Sequence, residues 1–235
     1  MHRLRRWLVD NLMLLRLSIR LQLGRKFWIV PLLAMAWPLF HAIRLLIASN
    51  ARSFNETDAQ NLLIGLPMAI AAIGLGVGII AGEIERRTLE VAYTVPGSAR
   101  RIWIPKLIAV TVLLLLTETL LAIITAVFFT SFPLESLYGA LQGAVFYLVL
   151  AMGLGALFRS EITAVLVACV LYLLNSAAHI GRWDPLFNPL SIQNISPSEL
   201  LAWTVQNRIG FALAIIALAA LAFYRAERRE QLLGS

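Results

Sequence analysis

The chain has 235 residues, 60% of them apolar and 14% charged, with a formal net charge of +7. Soluble globular domains are nearer half apolar and a quarter charged, so this composition excludes an ordinary soluble fold. Cys169 is the one cysteine and lies in an apolar run, which excludes a disulfide framework. The basic residues sit at the ends of apolar runs rather than on one soluble face, which argues against nucleic acid as a partner.

Residues 1–26 carry Arg3, Arg5, Arg6, Arg16, Arg20, Arg25 and Lys26, with Leu4, Trp7, Leu8, Leu12, Leu15 and Ile19 at helical spacing. That pattern predicts an amphipathic helix lying in the headgroup region, in contact with membrane lipids. Six apolar runs follow, at about 27–48, 62–82, 102–130, 137–158, 162–179 and 208–225, each long enough to cross a bilayer as a helix. The expected fold is therefore an all-α polytopic membrane protein, one domain over 1–235. Pro31, Pro38 and Pro67 fall inside spans, where neighbouring helices can satisfy the freed carbonyls.

Charge sets the expected orientation. With the N-terminus inside, 16 of the 20 basic residues fall on the cytoplasmic side, leaving Arg44, Arg52, Arg182 and Arg208 outside. The expected location is the cell (inner) membrane, crossed several times, and this bias predicts that both termini are cytoplasmic. Of the outer connections, 180–207 is the long one. It holds Trp183, Phe187 and Trp203 among Pro185, Pro189 and Pro197. Ser196 as N-cap, Pro197 at the first position and Glu199 at the third predict a helix start. The aromatic content predicts that this segment folds back as a short re-entrant or interfacial helix.

Between the second and third runs, residues 83–95 are charged and amphipathic, and Pro96 follows. A polar helix at the end of a membrane hairpin needs a partner on the aqueous side. Gly74, Gly78 and Gly82 form a row on one face of the second span, where small residues let helices pack closely in lipid. Glu118 is the one carboxylate deep in a span. Such groups are costly there and face the protein interior or a water-filled cavity, so Glu118 is a candidate for lining a translocation path or for a structural bond. His41 and Arg44 lie a turn apart near the outer end of the first span, where Arg44 can snorkel to the interface. The three histidines are far apart, giving no metal spacing. No nucleophile elbow, zinc-protease motif or phosphate loop occurs, so no catalytic residues, cofactor or intrinsic ATPase activity are expected.

The loop resembles that of the ABC-2-type exporter permeases, whose first cytoplasmic loop carries a coupling helix. Glu83, Glu85, Thr88, Leu89, Glu90, Pro96 and Lys106 fall in register with the family pattern. Arg87, Ala92 and Pro105 replace its Gly, Leu and Gly. The resemblance covers the whole plan: an interfacial helix (1–26), six spans, a coupling loop (83–101) and an outer re-entrant region (180–207). It implies a permease subunit that transports but is not itself an enzyme. It further implies a dimer with a second copy or paralogue, and a path at the dimer interface driven by separate ABC ATP-binding subunits. Glu83, Glu85, Arg86, Arg87, Thr88, Leu89, Glu90 and Pro96 would couple the spans to that ATPase. The alternatives are a haem-exporter-type permease of cytochrome c maturation, a membrane-embedded lipid enzyme, and a non-transporting scaffold.

Overall fold

The computed structural model describes residues 28–47, 53–85, 100–178 and 181–227, with side chains undescribed at 100–102 and 227. The interfacial helix expected at 1–26 lies outside the described residues. Six long helices carry the described chain: α1 Ile29–Ile47, α2 Glu56–Glu85, α3 Arg100–Phe128, α4 Leu134–Phe158, α5 Glu161–Ala178 and α6 Pro197–Glu227. All six are long and apolar enough to cross a membrane. No strand occurs among the described residues. Hydrocarbon offers the backbone no water, so a spanning segment must bond to itself as a helix. Successive helices alternate in direction. The ends of α2, α4 and α6 and the starts of α3 and α5 share one face, the loop end.

Helices α2 and α4 make the core. In their most apolar windows 72% and 56% of residues are buried, against 22% in α1, 11% in α5 and 17% in α6. Small residues bring the pair together. A Cβ on Gly76 would run into the carbonyl of Leu148 and lie 3.1 Å from the Ala151 Cβ. One on Gly155 would lie 3.2 Å from the Ala81 Cβ. Lipid tails are as apolar as the helices, so this close packing, rather than water exclusion, drives the association. Helix α3 lies across the pair and buries Trp103, whose ring is parallel to that of Phe223 at the end of α6, with centroids 6.5 Å apart.

Four helix boundaries follow the apolar runs closely, and two begin earlier. Helix α2 starts at Glu56 through a capping box: Asp58 N donates to Asn55 Oδ1 at 2.9 Å, and Asn55 N donates to Asp58 Oδ2 at 3.1 Å. Two orphan donors are satisfied at once, so the helix begins before its apolar stretch. Residues Ala59–Gly65 then wind as a π-helix. The wide turn presses the Gln60 carbonyl against position 65, where any Cβ would strike it, so glycine fits.

Helix α6 starts at Pro197 under Ser196, whose Oγ accepts from Glu199 N at 3.3 Å. The expected helix start is present, and among the described residues of this segment no separate re-entrant helix occurs. Residues 197–207 are the opening turns of α6, because no helix breaker interrupts them before the apolar run. What precedes them is an extended segment with two short 3-10 turns, Gly181–Trp183 and Pro189–Ser191.

Candidate functional site

The root of the charged loop is built from three helices. Glu83 and Glu85 close α2, Lys106 is on the second turn of α3, and Glu161 opens α5. The Lys106 ammonium pairs with the Glu83 carboxylate, with the two side chains only 8% and 18% exposed. Removing a charge from water costs several kcal/mol, and the opposite charge offsets that cost only when it is held close. Sequence separation makes the pair a closure: it joins the two ends between which the charged loop emerges.

Glu85 does a different job. Its Oε1 accepts from the backbone N–H of Glu161 at 2.7 Å. That N–H opens α5, where unpaired donors and the helix dipole both favour a negative group. Ser160 Oγ accepts from Thr163 N at 3.4 Å in the same turn. Gly82 leaves room for this approach, since a Cβ there would lie 2.5 Å from Glu161 Oε1. The end of α2 is thus clamped to α3 by an ion pair and to α5 by a helix cap. Both acidic side chains are engaged within the chain and hold the base of the loop. Arg86, Arg87, Thr88, Leu89, Glu90 and Pro96 lie outside the described residues.

The glycine row is divided. Gly82 serves the clamp, but a Cβ on Gly74 or Gly78 would meet nothing within 4 Å. The close contact expected of the row is made instead by Gly76, two residues and about 200° around the helix from Gly74. Among the described residues nothing covers the Gly74 and Gly78 face. It borders an apolar groove of about 710 Å³ between α1 and α2, lined by Leu33, Trp37, Ile70 and Gly74 among others.

Glu118 sits midway along α3, 5% exposed. Its carboxyl lies against the backbone of Leu141 on α4, while Oε1 has no hydrogen-bond partner among the described residues. Thr117 and Thr125 share its buried face, and Thr117 Oγ1 donates to the Leu113 carbonyl at 2.8 Å. Buried polar side chains therefore line α3 inside the bundle.

At the end opposite the loop is a polar latch that the apolar pattern did not reveal. Gln60, fully buried in the π-turn, donates to the carbonyls of Phe187 at 3.1 Å and Leu186 at 3.3 Å. Arg208 donates to Gln142 Oε1 at 3.0 Å and to the Phe187 carbonyl at 3.3 Å, and Gln142 Nε2 donates to the Arg208 carbonyl at 2.9 Å. Asn207 Nδ2 donates to the carbonyls of Arg182 and Asp184 at 2.8 and 2.9 Å. The extended segment is thereby fastened to α2, α4 and α6. Gly139 and Gly143 leave the space: a Cβ on the first would press on Gln60 and Arg208, and on the second on Leu186. The available signal was four polar residues inside or bordering apolar runs.

His41 is also unlike its surroundings. It is 6% exposed, and neither ring nitrogen has a partner among the described residues. Trp37, Phe54 and Phe40 meet it edge-on at 4.8, 5.2 and 5.5 Å. No group of three or more His, Cys, Asp or Glu placed to hold a metal occurs among the described residues. Set against models of known families, curated proteins and solved structures, the chain finds no match.

Proposed function

We propose that this chain is the transmembrane permease subunit of an ATP-driven exporter of the ABC-2 type. It works beside a second copy or a paralogue and is driven by separate ATP-binding subunits. It resides in the inner membrane with both termini and the 83–101 loop in the cytoplasm, the orientation favoured by its basic residues.

The observation that carries the reading is the joint between loop and spans. An amphipathic charged segment emerges from a root where Glu83 grips α3 and Glu85 grips α5. A soluble partner that displaced the loop would act on three spans together rather than on a slack hinge. A solvated turn has no need of such a root. In this arrangement Arg86, Arg87, Leu89 and Glu90 dock on the ATP-binding subunit, while Glu83 and Glu85 transmit the movement. The open face at Gly74 and Gly78 receives the second permease, since small residues allow close approach in lipid.

The test is purification of the tagged full chain in mild detergent with its ATP-binding subunits. Wild type is expected to retain an ATP-hydrolysing subunit in fixed proportion. Reversing Arg86, Arg87 and Glu90 together is expected to release it while helical content is kept. Retention by the reversed variant would refute docking through this loop, and absence of any such subunit from wild type would refute the reading.

A further inference from the structure

A second groove lies at the loop end, between α4 and α6. Its walls are Leu150, Leu154 and Leu157 on one side and Leu218 and Leu221 on the other, and Tyr224 and Arg225 stand at its mouth. It encloses about 400 Å³, within the range of ligand-sized clefts, roughly 300–1,000 Å³. The groove follows the helix axes, from Leu150 to Leu157 and from Leu218 to Arg225. That is a length of about 10 Å along the helices. Gly153 forms part of its floor, where a Cβ would come no nearer than 3.8 Å to the Ala222 Cβ.

The chemistry is graded along that length. The inner part offers only leucine side chains, so a polar solute would lose its water there without replacement. The mouth offers a guanidinium and a phenol, and Tyr224 is 52% exposed, as expected of a residue at the membrane interface. Arg225 has no carboxylate partner among the described residues. Two helices end here, and each C-terminus carries about half a negative charge, which opposes an anion. Against this, Arg225 at the mouth places a full positive charge where each terminus places about half a negative one.

We propose that this groove binds one anionic phospholipid of the leaflet at the loop end. An acyl chain lies between the leucines, and the phosphate is held by Arg225. Basic pockets between spans are suited to such headgroups, and the apolar channel beneath adds the requirement for a tail. The site is separate from the loop clamp and does not depend on the transport reading.

Native mass spectrometry of the full chain tests it, using titration with phosphatidylglycerol and phosphatidylcholine of identical acyl chains. Wild type is expected to keep one phosphatidylglycerol in preference to phosphatidylcholine. Arg225→Gln should lower that preference about fivefold, the ~1 kcal/mol that one arginine supplies towards an anionic lipid. Arg225→Lys should keep it within about twofold, since a point charge suffices for a phosphate. Gly153→Leu should fill the floor and reduce retention of both lipids. Arg225 is at an exposed helix end, so its variants report even if Gly153→Leu fails to fold. Unchanged preference in Arg225→Gln would overturn the proposal. So would equal retention by Gly153→Leu together with displacement by inorganic phosphate, which would mark a bare anion site. A dimer that excludes lipid from wild type and separates in Gly153→Leu would assign the groove to a second copy and overturn it too.

Discussion

Replacing Glu83 by leucine leaves the Lys106 ammonium without its counter-charge in a place where the lysine side chain is 8% exposed. Removing one member of a buried pair typically costs about 3–5 kcal/mol. Two features lower that figure here. Glu83 is 18% exposed, and Lys106 is close enough to the end of α3 for its stem to extend towards the interface. We expect about 2–4 kcal/mol for Glu83→Leu, and a loss for Lys106→Met as well, which removes the ammonium from the pair. The double variant removes both charges of the pair and should recover much of the loss, because a buried pair is often worth little more than an apolar replacement of similar volume. Unfolding of the full chain in mixed micelles, followed by helical signal against SDS fraction, measures all four corners of the cycle. Additive losses with no recovery, or single losses below about 0.5 kcal/mol, would show that the pair does not close the loop.

Two further perturbations follow from the packing. Gly76→Ala should destabilise the α2–α4 pair by at least about 1–3 kcal/mol, as expected where a new group meets packed backbone, whereas Gly78→Ala should leave the fold intact; the same unfolding assay separates them, and equal effects would contradict the packing face. Gln60→Leu removes both bonds to the extended segment at a cost of about 1–3 kcal/mol, and a cysteine at position 188 should then react faster with an impermeant thiol reagent; an unchanged rate would mean that the latch does not hold the segment.

Hydropathy made the spans legible because each needs a long apolar run, and a run in lipid can only be a helix. Where a helix extends beyond its apolar stretch, the same signal fails. Helices α2 and α6 both begin in polar turns, one under Asn55 and one under Ser196. Asn55 with Asp58 is a readable capping pattern. Ser196 was read correctly as a cap, but the length of the helix that follows depends on the absence of a breaker between 197 and the apolar run. The glycine spacing announced a face but not its occupant. Gly74, Gly76 and Gly78 are equally small, and only the approach of Leu148 identifies the one used within the chain. The latch was the least legible part, because Gln60, Gln142 and Arg208 gain their meaning from carbonyls far along the chain. Glu83 and Lys106 stand out in the sequence only as positions of the family pattern, and their mutual pairing across the loop appears only in three dimensions.

The central claim is that the loop drives the spans through its root, and Glu85 allows docking and transmission to be separated. Glu85→Ala deletes the cap on α5 while leaving 86–96 unchanged. The measurement is ATP hydrolysis by the purified complex in lipid nanodiscs, compared with that of the ATP-binding subunits alone. The account predicts that the Glu85→Ala complex assembles in normal proportion but loses most of the permease-dependent change in hydrolysis. Normal assembly together with a fully retained change would contradict it.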